Sequence, residues 1–428
     1  MRKLFFSLVC FLIVSSVKGG GEVPAPGKPQ TEPVVIRNGI LHTVSGDIIP
    51  NGAVRFENGI ITHVGPTADV PTQNAEVIDV QGSHIYPGLI ACNTTLGLVE
   101  ISAVRATRDF DETGSLNPNV RSLIAYNTDS RIIPTIRNNG MLLAQIVPQG
   151  GRIPGTSSVV QLDAWNWEDA AYETDNAVHL NWPSMYVRRG WWAEPGGIHA
   201  NDDYMEQVDD IFSYFREAGA YAKKEDHRPK NLRFEAMRGL FTKDKKLFVA
   251  ASSAREIKAV VRFLEEFDLE GVIVGADDAH LVADLLAEKN VAVIYKRIHS
   301  LPLRQDDDIA MVYSAPAKLY EAGVTFALSL TGSWEQRNLP FMGGSAAAHG
   351  LSKEAALKSL TLYPAQILGI DDRTGSLESG KDANIIVSTG DVMDMRTNDI
   401  THAFIQGRVV DLDDKQKRLY EKFMQRYE

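Results

Sequence analysis

Two hydrophobic textures alternate along the chain. Between Val34 and Ile78 the apolar residues come in short runs, at 34–36, 54–56, 60–64 and 77–78, punctuated by Asn38-Gly39 and Asn58-Gly59. Asn-Gly between apolar runs signals a hairpin, because both residues tolerate the positive φ of a tight primed turn. The same texture returns at 383–387 and 403–410. Two β-rich flanks around a long middle predict one small β-sandwich domain built from both chain ends, residues 34–86 with 372–412. In the middle, apolar strand candidates at 89–90, 142–147, 247–250, 272–274, 291–294 and 326–328 alternate with helical patterns such as 254–267 and 279–287. These helical stretches carry Glu and Lys on the face opposite their apolar residues. Repeated strand–helix units imply a parallel sheet, and a run this long predicts a (β/α)₈ barrel over 87–371. Ser352 caps a further helix, and residues 413–428 read as a charged C-terminal helix.

The first residues read as a secretory signal over 1–20. Arg2 and Lys3 precede an apolar run over 4–17, followed by Gly19, Gly20 and Gly21. The run is shorter than the ~20 residues a membrane span needs, and no later stretch is long enough. Residues 21–33, rich in proline, read as a tether. The expectation is therefore an exported protein, periplasmic or extracellular, with no transmembrane segment. With residues 1–20 removed, Cys10 is gone and Cys92 is the one thiol left, so no internal disulfide can form. Lys and Arg number 44 against 55 Asp and Glu, a net charge of −11, which becomes −14 without the leader. That acidic balance argues against a nucleic-acid partner. At 428 residues and 44% hydrophobic, the chain can bury a large core.

Several segments carry a resemblance. Val35-Ile36-Arg37-Asn38-Gly39, Asp79-Val80-Gln81-Gly82, Tyr86-Pro87-Gly88-Leu89-Ile90, Pro364-Ala365 and the run from Gly375 to Ala383 (GSLESGKDA) resemble, in order and position, the amidohydrolase superfamily, including imidazolonepropionase and dihydroorotase-like enzymes. The resemblance covers nearly all of the chain beyond the leader. It implies hydrolysis of non-peptide C–N bonds, with metal ions polarising a carbonyl and ionising a water. It also implies a His-x-His pair after the first barrel strand, where this chain has Asn93 and Thr95, with Ala91 in place of an aspartate. Ala250 stands at the strand-5 histidine, Gly275 at the strand-6 histidine and Thr331 at the strand-8 aspartate. No lysine of strand 4 presents itself as a carbamylated bridge. Asn and Thr are neutral oxygen ligands, too weak to hold Zn²⁺ or Fe²⁺ unaided. The reading is an amidohydrolase-like pseudoenzyme with no metal and no cofactor.

A rebuilt site would need other residues. None of the 10 histidines forms a His-x-His or His-x-x-x-His pair. His179, His199, His299 and His349 fall on loops or strand ends facing the barrel mouth; His42, His63, His84 and His402 belong to the flanking sheet, and His280 to a helix facing solvent. Asp277-Asp278 follows strand 6, where a general acid–base pair or hard-cation site would sit, although aspartates there also cap helices. Asp306-Asp307-Asp308 reads as a solvated loop. Trp165, Trp167, Trp182, Trp191 and Trp192 gather after strand 3, either to stack on a sugar or peptide or to pack an insertion. The glycine-rich 150–155 segment lacks the lysine of a phosphate loop. Three functions follow. The first is binding, of a small molecule in the old barrel mouth or of an active amidohydrolase homologue, in an oligomer. The second is a C–N hydrolase with a relocated or metal-independent site, and the third a secreted glycan- or peptide-binding module.

Overall fold

The chain opens with β1 (Val34–His42), β2 (Ile48–Glu57), β3 (Ile60–Pro66), β4 (Glu76–Asp79) and β5 (His84–Pro87). β6 (Leu89–Thr94), β7 (Met141–Ile146), β8 (Gly155–Gln161) and β9 (Ala171–Asn181) start the barrel, and β10 (Tyr186–Trp191) and β11 (Glu194–Ala200) form a separate hairpin. β12 (Lys246–Ala251), β13 (Gly271–Gly275), β14 (Ala292–Tyr295) and β15 (Phe326–Leu328) complete the barrel. β16 (Ile385–Ser388), β17 (Ile400–Ile405) and β18 (Arg408–Val409) return to the first sheet. This computed structural model describes residues 23–191, 193–224, 226–330 and 332–427. The leader over 1–20, Cys10, Trp192 and Thr331 therefore lie outside the described residues.

The first sheet runs β18-β17-β16-β5-β1-β2-β3, with β4 also alongside β1. Both chain ends meet in it, because β16 pairs antiparallel with β5. Asn58 and Gly59 form the expected turn between β2 and β3, with φ of 51° and 82°. A Cβ on Gly59 would lie 2.9 Å from the Gln406 carbonyl oxygen. Asn38-Gly39, in contrast, is not a hairpin turn. It lies inside β1, where Asn38 takes a φ of 61° and the register with β2 shifts. Before the kink β1 pairs with β4, and after it with β5. The positive φ that can reverse a chain here lets one strand change partners.

The barrel strands run β6-β7-β8-β9-β12-β13-β14-β15. Most neighbours are parallel, as alternating strand–helix units require. The exception is β8, antiparallel to both β7 and β9. The hydrophobic pattern passed over β8 and β9. Gly155–Gln161 (GTSSVVQ) is half polar, and only a one-turn helix, Trp167–Ala170, separates the two strands. The seam between β15 and β6 is bridged by the segment that precedes helix Leu362–Leu368. Ile90 N–H donates to Leu360 O (2.9 Å), Leu328 N–H to Ser359 O (3.1 Å), and Ser329 Oγ to Cys92 O (2.6 Å).

Strand alternation sorts the barrel residues into two layers. Ile90, Cys92, Leu143, Val159, Phe248 and Val274 belong to one buried cluster inside the barrel. Leu89, Ala91, Leu142, Val249 and Ile273 join the larger core under the helices. Asn93, His179 and Lys296 make the barrel polar at the C-terminal strand ends, which is where a barrel of this kind keeps its chemistry. Among the described residues no helix is long and apolar enough to cross a membrane.

Candidate functional site at the barrel mouth

A cavity of about 270 Å³ opens among the C-terminal ends of the strands, with Asn93, His179, Asn181, Phe248, Ala250, Val274 and Lys296 in its wall. Asn93 reaches it through a backbone irregularity. β6 loses register with β7 between Ala91 and Thr94, and Asn93 takes a φ of 52°, a conformation that asparagine accepts better than most residues. Its N–H donates to Gln145 Oε1 (3.1 Å), and Gln145 Nε2 donates in turn to Ser157 Oγ (3.0 Å). Both Gln145 and Ser157 are fully buried, so this chain fixes the Asn93 backbone from below. Lys296, two residues beyond the inward-facing Ile294 of β14, donates from Nζ to Asn93 Oδ1. Over the cavity, the loop after β7 is stapled to the end of β9: Asn181 Nδ2 donates to Gly151 O (2.9 Å) and Arg152 Nη1 to Asn181 O (2.7 Å).

Burial governs the electrostatics. It lowers the Lys296 ammonium from 10.5 to about 8, against a smaller opposing influence from Cys92. Among the described residues Lys296 forms no ion pair with a carboxylate. His179, on β9 opposite Phe248 and 5.3 Å from its ring, is held down at about 3 by burial first and by Lys296 second. It is neutral at any ordinary pH, and its Nε2 has no hydrogen-bond partner. Cys92 is wholly buried, and burial pushes its thiol up to about 12, so it is no thiolate nucleophile.

The expected site positions divide. Asn93 and Ala250 line the cavity, whereas Thr95 is buried without lining it. On β13 the cavity-facing residue is Val274 rather than Gly275, one position from the resemblance-based placement. Asp277 and Asp278 sit in another cleft with His280, Arg297 and Arg304. Asp278 Oδ2 accepts from Arg304 Nη2 (2.8 Å) and from Ala254 N–H (3.2 Å), so it caps a neighbouring helix. Asp277 pairs with Arg297 at 3.6 Å, and burial raises its carboxyl above the usual range. His280 is half-buried there rather than turned to solvent. Of the four histidines considered for the barrel mouth, His179 lines the cavity; His299 and His349 contact Ser345, and His199 lies on the exposed β11.

The tryptophans do not form one cluster. β8 runs down the barrel and β9 back up, so Trp165 and Trp167 fall at the N-terminal end and Trp182 and Trp191 at the other. Trp182 is core, edge-on to Phe263, whereas Trp165 and Trp191 are exposed. Sequence reasoning missed Lys296 and Gln145. Their signal was strand alternation, two residues beyond the inward Ile294 and Leu143. The partners that make them a site come from other strands.

The family model for the amidohydrolase family matches residues 208–410. Amidohydrolase tasK of Hapsidospora irregularis is 22% identical over 415 residues, covering 84% of this chain. The chain spans only 41% of that relative's length. Imidazolonepropionase of Pseudomonas aeruginosa strain UCBPP-PA14 is 25% identical over 382 residues, covering 79% of this chain and 87% of its own. An amidohydrolase from Thermotoga maritima MSB8 shares the fold with a TM-score of 0.77 at 23% identity, over 88% of this chain and 99% of that one. The chain is thus similar to the amidohydrolase family over those residues and shares the amidohydrolase fold.

The described cavity wall does not fit the metal centre that the family resemblance implies. It offers one imidazole, amide groups and the apolar Ala250 and Val274, with no carboxylate. Lys296 adds a positive charge beside Asn93, which would repel a divalent cation. Among the described residues no group of three or more His, Cys, Asp or Glu is arranged to hold a metal ion.

Proposed function

We propose that this chain is a metal-independent member of the superfamily that binds a small oxygen-bearing molecule at the barrel mouth and lacks the family's metal-assisted hydrolysis. One observation carries the reading: Lys296 Nζ bonds to Asn93, the residue standing at the family's first histidine position. A donor on a lysine can hold a carbonyl or carboxylate oxygen, which is the part of the substrate that a metal ion would otherwise polarise. Asn181 and the unpartnered His179 Nε2 add polar groups to a cavity large enough for a small ligand. This favours a small molecule over an active homologue as the partner. A relocated hydrolytic centre at Asp277 and Asp278 has no comparable support, since both carboxylates are engaged by arginines outside the cavity.

Elemental mass spectrometry on protein purified without added metal tests this reading. The expected content of Zn, Fe, Mn, Ni and Co together is below about a tenth of an equivalent. Near one equivalent, retained through gel filtration, would overturn it.

A further inference from the structure

The geometry points to Lys296 as an amine nucleophile that captures an aldehyde or ketone ligand as an imine in the barrel cavity. The inference deepens the metal-independent reading and rests on it, because a metal at the strand ends would hold the oxygen that this reaction expels. Three independent features carry it. The Lys296 amine faces a cavity that can admit a small carbonyl compound, held by Asn93 Oδ1 and by no carboxylate among the described residues. A neutral oxygen partner positions the amine without fixing its positive charge, unlike the ion pairs of Arg297 and Arg304 in the neighbouring cleft. The second feature is His179 Nε2, buried in the same wall with no partner, a state that costs stability unless a ligand satisfies it. Third, the competing nucleophile in this layer is silenced, because Cys92 is wholly enclosed. The depressed titration of Lys296 is consistent with the geometry, leaving a useful share of free amine near neutral pH.

The step balances without an oxidant or reductant. The Lys296 lone pair attacks the carbonyl carbon, forming the C–N bond as the C=O π pair moves onto oxygen. The two protons of the amine pass to that oxygen. Water leaves as the C=N bond forms. Asn93 Oδ1 orients the amine before attack and releases it as the protons depart. The ligand class is thus a small aldehyde or ketone, in place of the amide or urea suggested by the fold.

Pentane-2,4-dione is a suitable probe. It condenses with an amine, loses water and gives a conjugated enaminone visible in the near ultraviolet. The full chain is treated near neutral pH and followed by absorbance, intact mass and peptide mapping, with metal content measured on the same sample. The expected result is one equivalent of adduct at Lys296, formed on the order of tenfold or more faster than at exposed lysines. Lys296→Met should lose the absorbance, and His179→Phe should slow its appearance while leaving Lys296 the labelled residue. Mapping of the unaltered chain decides the matter even if a variant fails to fold. Adducts spread over exposed lysines without enrichment at Lys296, in metal-free protein, would overturn the imine and leave the metal-independent reading standing. A stoichiometric metal with an unreactive Lys296 would overturn both.

Discussion

At the scale of single residues, the barrel mouth is defined by groups whose charge states burial has changed. His179 is held at about 3, below the 6.5 of a free imidazole. An unfolded chain therefore takes up the proton first as pH falls. The contribution of the neutral ring is fully present above about 6.5 and is lost progressively as pH drops towards about 3. Replacing His179 by Phe should flatten this part of the stability profile relative to the unaltered chain. Thermal unfolding followed across pH 3–7 measures it, and two parallel profiles would contradict the assignment. The same sense holds for the cation, in a higher pH window. The folded chain carries a charged Lys296 in a poorly solvated place below about 8, and stability recovers as pH rises from there towards 10.5.

Among the elements, helix Ala254–Phe267 shows how local chemistry fixes a boundary that matters to the site. It begins just beyond β12, whose Ala250 lines the cavity. Ser253 Oγ accepts from Glu256 N–H (3.3 Å), and Glu256 Oε2 accepts from Ser253 N–H (3.0 Å), a reciprocal cap legible in the sequence as Ser-x-x-Glu. The other oxygen of Glu256 accepts from Met185 N–H (3.0 Å), which ties the base of the β10–β11 hairpin to the same point. Substituting Ser253 by Ala should lower stability by about 1 kcal/mol. Urea denaturation reads this directly, and an unchanged midpoint would mean that the cap is dispensable. β8 teaches the opposite lesson. Its Ser157 and Val159 serve the barrel interior, yet its polar composition gave no strand signal, because what makes it a strand is pairing with β7 and β9.

Over the whole molecule, the ends of the chain hold the barrel and the first sheet together. β16 lies between β5 and β17 in the sheet. Gly88 N–H donates to Asn384 O (2.9 Å) just before β6, and Tyr172 Oη donates to Asp382 Oδ2 (2.6 Å) from the start of β9. Removing residues 372–428 would expose the β5 edge and strip partners from both parts. The truncated chain should lose the cooperative thermal transition of the full chain, as followed by circular dichroism. A cooperative transition at an unchanged midpoint would show that the barrel stands without the returning strands.

Local pattern was enough for the class of fold. Period-2 flanks, strand–helix alternation and the Pro-Gly and Gly-Lys-Asp segments each depend on neighbours in sequence, and they specified a barrel and a sheet built from both ends. Asn93 and Ala250, singled out by the same reading, lie in the cavity wall. Tertiary structure alone decided which residues surround them. Lys296 and Asn93 are 203 residues apart and meet only because β14 and β6 converge at one end of the barrel. His179 becomes buried because β8 and β12 flank its strand, and the pair at Asp277 and Asp278 is engaged by arginines from the loops beyond β14. Periodicity records which way a side chain points along its own strand. Its neighbours, and hence its charge state, are set by how distant strands pack.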